Sequence, residues 1–143
     1  MKAIVIGCGR VGSQVAKNLD AEGWNVVAVD ENEEVLNRLG ETWSGGFLVG
    51  HGMDIGLLRR AGIEDADAVV IATNGDNTNL VVGQLAQRRF KVPCVIVRIL
   101  DPARAALYEG LGLEIICPTR TAIETLTSRV LESAEREPEE ART

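Results

Sequence analysis

The chain has 143 residues, the length of about one domain, and 45% of them are apolar. Only 3% are aromatic and the formal net charge is −6, which argues against nucleic acid as a partner, since such sites use aromatic platforms or basic surfaces. No apolar run approaches the roughly 20 residues that span a bilayer, so no direct membrane insertion is expected.

Short apolar runs alternate with longer segments of helical periodicity. In chain order, the apolar runs predict strands over residues 2–6, 25–29, 47–49, 67–72, 94–99 and 114–117. The periodic segments predict a helix after each strand, over residues 10–22, 32–39, 54–60, 76–89, 101–109 and 121–132. Strands that are apolar throughout are typical of a parallel sheet covered on both faces. The pattern therefore predicts an α/β fold, a Rossmann-like doubly wound parallel sheet of six strands with helices on both faces.

Polar residues at the starts of four predicted helices are typical of N-terminal caps. Asp54, Asp76 and Asp101 are expected to cap three of these helices. Thr121 with Glu124 matches a capping box, so the last helix is predicted to begin there.

The last predicted helix carries Ile123, Leu126 and Val130 on one face, as an apolar stripe. This stripe is expected to pack either on the chain's own sheet or on a second subunit. Beyond it, five Glu and two Arg dominate the final twelve residues. The sequence therefore predicts one domain over residues 1–131 and an acidic tail or linker start over residues 132–143.

The cysteines Cys8, Cys94 and Cys117 are isolated in the sequence, and His51 is the only histidine. A zinc site needs about four ligands at motif spacing, so no metal site is predicted. Each cysteine lies in or beside an apolar run, which is typical of a small buried side chain in a reducing cytoplasm.

The segment GCGRVG, residues 7–12, has the GxGxxG spacing, follows a predicted strand and opens a predicted helix. Gly7 permits a tight turn, Gly9 lets a pyrophosphate approach the backbone, and Gly12 lets the helix pack against the strand. The free N–H groups at the helix start, around Val11, then face the phosphates. The segment therefore predicts a nucleotide site.

Asp30 ends the second predicted strand, 18 residues after Gly12. An ionised carboxylate there suits the diol of a ribose and repels a 2′-phosphate, and Glu31 adds to this repulsion. The pair predicts NAD(H) or an adenosine nucleotide as the ligand and disfavours NADP. A structural alternative is that Asp30 caps the helix that follows.

Arg10 is placed unfavourably for the helix it opens, because a cation at a helix N-terminus opposes the macrodipole. Its guanidinium is therefore expected to clamp phosphate oxygens. The alternative is a salt bridge at the surface or between subunits.

Ligands of such sheets bind at the carboxyl ends of the strands. The residues expected there, besides the glycine loop and the second strand, are His51, Gly52, Met53, Thr73, Asn74 and Arg98. Ordinary turn chemistry accounts equally well for the residues that follow the fourth strand. Arg98 interrupts an apolar strand, so it is expected to reach the crevice, and His51 is interpreted as a lining residue rather than a catalytic one.

The chain resembles the N-terminal nucleotide-binding domains of regulators of potassium conductance, also called RCK, KTN or TrkA-N domains. The resemblance covers about residues 2–131, and the stretches that carry it are IVIGCGRVGSQVA, VVAVDENEE, LLRRAGIEDADAVVIATNGDNTN and VRILDPARAALYEGLGLEIICPT. It implies a cytoplasmic regulator rather than an enzyme, one that binds NAD(H), ATP or ADP, with AMP possible. It also implies a homodimer or higher ring on the inner face of the membrane, held there by a potassium channel or transporter subunit.

By position, the resemblance assigns the phosphates to the glycine loop with Arg10, the adenosine ribose to Asp30, and the adenine to the residues after the third strand. The last helix would cross to a partner subunit, and the acidic tail would begin the linker to a C-terminal regulatory domain. Gly50 to Met53 lacks the aspartate that the family often has after the third strand, near the adenine, and Thr119 stands where some members have a glutamate. Two alternatives remain, an NAD-dependent oxidoreductase fragment and an oligomerisation scaffold with a vestigial nucleotide site.

Overall fold

A computed structural model describes residues 1–136 and contains one six-stranded sheet. The strands are β1 Lys2–Ile6, β2 Asn25–Asp30, β3 Gly46–Val49, β4 Ala68–Ile71, β5 Cys94–Arg98 and β6 Glu114–Ile116. All strand pairs are parallel and the spatial order is β3-β2-β1-β4-β5-β6. The Rossmann-like doubly wound fold is therefore confirmed.

Helices follow every strand, as the sequence pattern predicts. They are α1 Arg10–Ala21, α2 Val35–Leu39, α3 Ile55–Arg60, α4 Asp76–Gln84, α5 Pro102–Glu109 and α6 Pro118–Arg136. A 3₁₀ turn follows α3, and a π-helical turn over Leu85–Arg89 replaces the predicted end of α4. No helix within residues 1–136 has the length and apolar character that a membrane crossing requires.

The central strand β1 is buried on both faces, because its side chains alternate between two separate apolar clusters. Ala3 and Val5 belong to one cluster, with residues of α1 and α2. Ile4 and Ile6 belong to the other, with residues of α3 and α4. Helices therefore cover both faces of the sheet, which is why the strands are apolar throughout.

The sheet reverses its winding direction at β1, which lies between β2 and β4. Ile6 pairs with Val29 on one side and with Ile71 on the other, so the three strands end at the same level. The loops that leave them diverge to opposite faces and open a crevice at the carboxyl edge.

Two predicted helix caps are confirmed and two are wrong. Asp54 accepts a hydrogen bond from the Leu57 N–H, and Asp101 caps α5 in the same way. Asp76 instead is the first residue of α4, and Gly75 occupies the cap position. Thr121 lies inside α6, because Pro118 opens that helix and the Thr121 N–H already donates to the Cys117 carbonyl.

Helix α6 projects from the sheet, and none of its residues is buried. Leu126 and Val130 are each 68% exposed. The interpretation in which the apolar stripe packs on the chain's own sheet is therefore wrong. The helix also continues past the predicted boundary at residue 131 to Arg136, and residues 137–143 of the predicted tail lie outside the described part.

Candidate functional site

The crevice at the carboxyl edge of the sheet is a cleft of about 430 Å³, a size typical of small-molecule sites. Eight predicted site residues line it: Gly7, Gly9, Asp30, Glu31, His51, Gly52, Thr73 and Asn74. Five predicted site residues do not line it: Arg10, Val11, Gly12, Met53 and Arg98. The other nine lining residues are not among the predicted site residues: Ile6, Val29, Asn32, Val35, Arg38, Gly50, Ala72, Gly75 and Thr78.

The three glycines of the loop after β1 serve different purposes. Gly7 has φ +87°, and a Cβ on it would stand 2.5 Å from the Thr73 nitrogen. A Cβ on Gly12 would stand 1.8 Å from the Gly7 carbonyl oxygen, so α1 packs directly on the loop. Gly9 faces open space, with only the Arg38 Nη1 within 4 Å of the Cβ position, at 3.7 Å. The loop is therefore compact beneath and accessible from the cleft.

The N-terminus of α1 presents backbone donors beside this accessible glycine. Gly9 is the N-cap residue, so no side chain satisfies the N–H groups of the first turn. The Ser13 N–H and hydroxyl both donate back to the Gly9 carbonyl, which holds the turn in place. Free N–H groups at a helix start attract anions such as phosphate.

Asp30 holds the glycine loop against the end of β2. Its Oδ2 accepts from the Cys8 N–H at 2.7 Å, and its Oδ1 accepts from the Asn32 N–H at 2.9 Å. Since α2 begins only at Val35, with Glu34 at its cap position, the alternative in which Asp30 caps that helix is wrong. Asp30 lines the cleft, and each of its carboxylate oxygens keeps a further lone pair that can accept from a hydroxyl group.

The rim of the cleft after β3 is formed by His51. Its Nδ1 accepts from the Met53 N–H at 3.1 Å, so the proton is assigned to Nε2, 3.7 Å from Glu31 Oε1. The side chains of His51 and Glu31 are 41% and 71% exposed, and a solvent-accessible pair of this kind contributes little to stability. The imidazole therefore has a polar lining position, while Met53 lies outside the cleft.

Behind the loop after β4 lies a hydrogen-bonded network centred on Asn79, which is fully buried. Its Nδ2 donates to the carbonyls of Thr73, at 2.9 Å, and Arg98, at 2.8 Å, and its Oδ1 accepts from the Thr73 hydroxyl. The Arg98 Nη2 donates to the carbonyls of Ala72 and Thr73, at 2.9 and 3.0 Å. Arg98 thus supports the wall of the cleft from behind rather than entering it. The sequence signal for Asn79 is a polar residue on the apolar face of α4.

We expect Asn79→Ala to lower the free energy of unfolding by about 1–3 kcal/mol, because the carbonyls of Thr73 and Arg98 each lose the hydrogen bond that the buried Asn79 amide donates. The matched control is Asn77→Ala in the same helix, where the Asn77 Oδ1 meets only Arg104 in an exposed pair. Urea unfolding monitored by circular dichroism measures both variants. Equal stability of the two variants would contradict the structural role of Asn79.

Cys8 occupies the middle of the glycine loop but is not a reactive thiol. Burial, and then the negative charge of Asp30, raise the pKa of the Cys8 thiol to about 12. It therefore stays protonated at neutral pH and serves as a small buried side chain. Cys117 is buried and Cys94 half-buried. Within residues 1–136, no three His, Cys, Asp or Glu side chains are grouped as a metal site.

Comparisons with known proteins agree with this fold. Residues 3–118 match the TrkA-N domain family. The Trk system potassium uptake protein TrkA of Streptomyces coelicolor is 37% identical over 133 residues, which cover 93% of this chain and 60% of that protein. The chain thus spans little more than half the length of this relative.

Two solved structures have the same fold at lower identity. The Kef C-terminal domain of Shewanella denitrificans, in its AMP-bound form, has a TM-score of 0.78 and 23% identity, over 96% of this chain and 84% of that chain. The GsuK channel bound to NAD has a TM-score of 0.76 and 21% identity, over 94% of this chain and 24% of that chain. With the family match over residues 3–118, the chain belongs to the TrkA-N domain family.

Proposed function

We propose that this chain is a nucleotide-sensing regulatory domain of a potassium channel or transporter. The observation that carries the proposal is the cleft in which Gly9, the start of α1 and the Asp30 carboxylate meet. Backbone donors there suit phosphates, and the carboxylate suits a ribose diol at the adjoining end of β2. Potassium transport as the regulated process is supported by the family and by the Streptomyces relative.

The ligand we propose is NAD(H) or an adenine nucleotide, ATP, ADP or AMP. AMP and NAD are the ligands named for the two structures of similar fold. The carboxylates of Asp30 and Glu31 both line the cleft at the ribose end and oppose a 2′-phosphate, which disfavours NADP. We favour binding and release of a nucleotide over catalysis. The groups that line the cleft are placed to bind a ligand, and the His51 Nδ1 already accepts from the Met53 N–H.

The regulatory output we propose is a change of packing between subunits. The exposed apolar stripe on α6 supports a homodimer or higher ring, since exposed apolar surface of this kind is typical of interfaces. A ligand shifts the balance between two packing geometries only if it binds one of them more tightly. We propose that nucleotides with different numbers of phosphates differ in this preference. The domain would then act in the cytoplasm, held at the membrane by its potassium-transporting partner.

Thermal unfolding in the presence of NAD, NADH, NADP, AMP, ADP or ATP tests this proposal. At a ligand concentration of 100 times Kd, binding adds about 2.7 kcal/mol to the free energy of unfolding. We expect at least one ligand other than NADP to raise the melting temperature. Asp30→Ala should abolish this rise, because it removes both the ribose acceptor and the anchor of the loop.

The matched control is Glu33→Ala, which removes an exposed carboxylate close in sequence but outside the cleft. It should keep the nucleotide effect. If no nucleotide raises the melting temperature of the unmodified chain, the sensing function is wrong and a scaffold with a vestigial site is favoured. Turnover of a hydroxy acid or aldehyde with NADH would instead favour an oxidoreductase.

A further inference from the structure

The cleft contains a cation that the glycine-loop pattern does not include. Arg38, in the last turn of α2, lines the cleft opposite the start of α1. Its Nη1 is 3.7 Å from the position that a Cβ on Gly9 would take, and among the described residues it is the one heavy atom within 4 Å of that otherwise open position. The side chain is exposed, and no carboxylate oxygen within residues 1–136 lies within ion-pair distance of it.

The charge balance of the cleft gives this position its importance. Asp30 and Glu31 contribute two carboxylates to the lining, and a nucleotide diphosphate adds further negative charge. Among the residues that the structure describes, Arg38 is the one permanently charged cation in the lining, because Arg10 and Arg98 lie outside it. Backbone N–H groups supply partial charges only, so full neutralisation of a diphosphate on this chain depends on Arg38.

A purely structural role for Arg38 is the alternative. A cation in the last turn of a helix interacts favourably with the macrodipole, and this effect is worth about 0.3–1 kcal/mol on an exposed helix. Arg60 is placed in the same way, in the last turn of the short helix α3. Arg60 does not line the cleft, so a substitution there loses the helix-dipole contribution without affecting a phosphate contact. Comparing Arg60 and Arg38 variants therefore distinguishes a structural role from phosphate binding.

We infer that Arg38 is the phosphate-recognition residue of this chain and that it makes the site prefer phosphorylated nucleotides to adenosine. The inference rests on the proposed nucleotide function. The guanidinium and the α1 N-terminus would hold a diphosphate between them, and the guanidinium N–H groups of Arg38 would donate to the phosphate oxygens. Arg10, which the sequence favoured for this role, is exposed and does not line the cleft.

Isothermal titration calorimetry with adenosine, AMP, ADP, NAD and NADP tests the inference on the whole chain. Arg38→Gln is expected to lower the affinity for ADP by about tenfold or more, which is the usual effect of losing a charge-assisted hydrogen bond. The affinity for adenosine should fall by less than about twofold. Arg38→Lys should keep more of the affinity for ADP than Arg38→Gln does, since lysine keeps the positive charge but lacks the paired N–H donors of the planar guanidinium. Added salt should reduce the difference in ADP affinity between the unmodified chain and Arg38→Gln, because salt screens the attraction between the guanidinium and the phosphates. Arg60→Gln should bind every ligand as the unmodified chain does.

The outcomes separate this inference from the proposed function. If the unmodified chain binds no nucleotide, both are wrong. If it binds ADP and Arg38→Gln binds ADP equally well, the nucleotide function stands and the role of Arg38 is wrong. If Arg38→Gln loses affinity for adenosine and ADP equally, Arg38 has a structural role or contacts the base. If it loses affinity for NADP alone, Arg38 recognises a 2′-phosphate. Either of these results overturns the inference.

Discussion

Gly12→Ala is expected to destabilise the fold by about 3 kcal/mol, the upper part of the range for overpacked sites. A Cβ on Gly12 would stand 1.8 Å from the Gly7 carbonyl oxygen, and that oxygen belongs to backbone that cannot rotate away. Helix α1 would have to move off the sheet and open the buried layer around Val5, which is 3.6 Å from the same position. Urea unfolding measures the loss, which should be accompanied by a large fall in melting temperature.

Gly9→Ala is the matched control, because it adds the same methyl group to the same loop. Its position has room and an ordinary φ of −71°, so the cost to stability should stay below about 1 kcal/mol. The added methyl would nevertheless occupy the approach of the phosphates, and nucleotide stabilisation should disappear. Equal stability of the two variants would contradict the close packing of α1 on the loop. Full nucleotide binding by Gly9→Ala would contradict the phosphate site.

Features that act over a few residues could be predicted from the sequence. Asp54 and Asp101 cap their helices through N–H groups two or three residues further on, so the local pattern contained the whole interaction. Asp76 resembled them, but its carboxylate accepts from the N–H groups of Leu100 and Asp101, at 2.7 and 3.0 Å. These partners follow β5, and only the completed sheet brings that loop beside α4. Its role could not be predicted from the local pattern.

The glycine loop and Asp30 could be predicted as neighbours, because the strands they follow are adjacent in any sheet of this winding. The place of Arg38 depends on where α2 begins. A helix from residue 32 was predicted, whereas the observed helix begins at Val35, after a turn in which Asn32 accepts from the Glu34 N–H. Starting the helix three residues later changes which residues face the cleft. The turn is held by local hydrogen bonds of the Asp30 and Asn32 side chains, which helical periodicity does not show.

Arg98 shows a different limit of sequence reasoning. Its cost as an unpaired charge in an apolar strand was evident from the sequence, but the expectation that it reaches the crevice is wrong. The acceptors are carbonyl oxygens at the end of β4 rather than groups of a ligand. Backbone carbonyls are available wherever a strand ends, so the residue type alone could not distinguish these two solutions.

Helix α6 provides the second large expected effect, on assembly. We expect Leu126→Asp with Val130→Asp to convert a dimer into a monomer at micromolar concentration, measured by sedimentation velocity. Each side chain is 68% exposed in the single chain, so burial against a second subunit would contribute about 1.5–3 kcal/mol per residue. The double change removes that contribution and places two charges in an apolar interface, while the exposed helix itself has no packing to lose.

Thr125→Asp with Ser128→Asp is the matched control, since it adds the same charges on the opposite face of α6. This variant should stay dimeric. A dimer that persists in the Leu126 and Val130 variant, or an unmodified chain that is monomeric, would contradict assembly through the stripe. Because the cleft is built by the ends of β1, β2 and β4 within one chain, the monomeric variant should still gain stability from nucleotide. Loss of both properties together would mean that a second subunit completes the site, and that sensing and assembly are a single event.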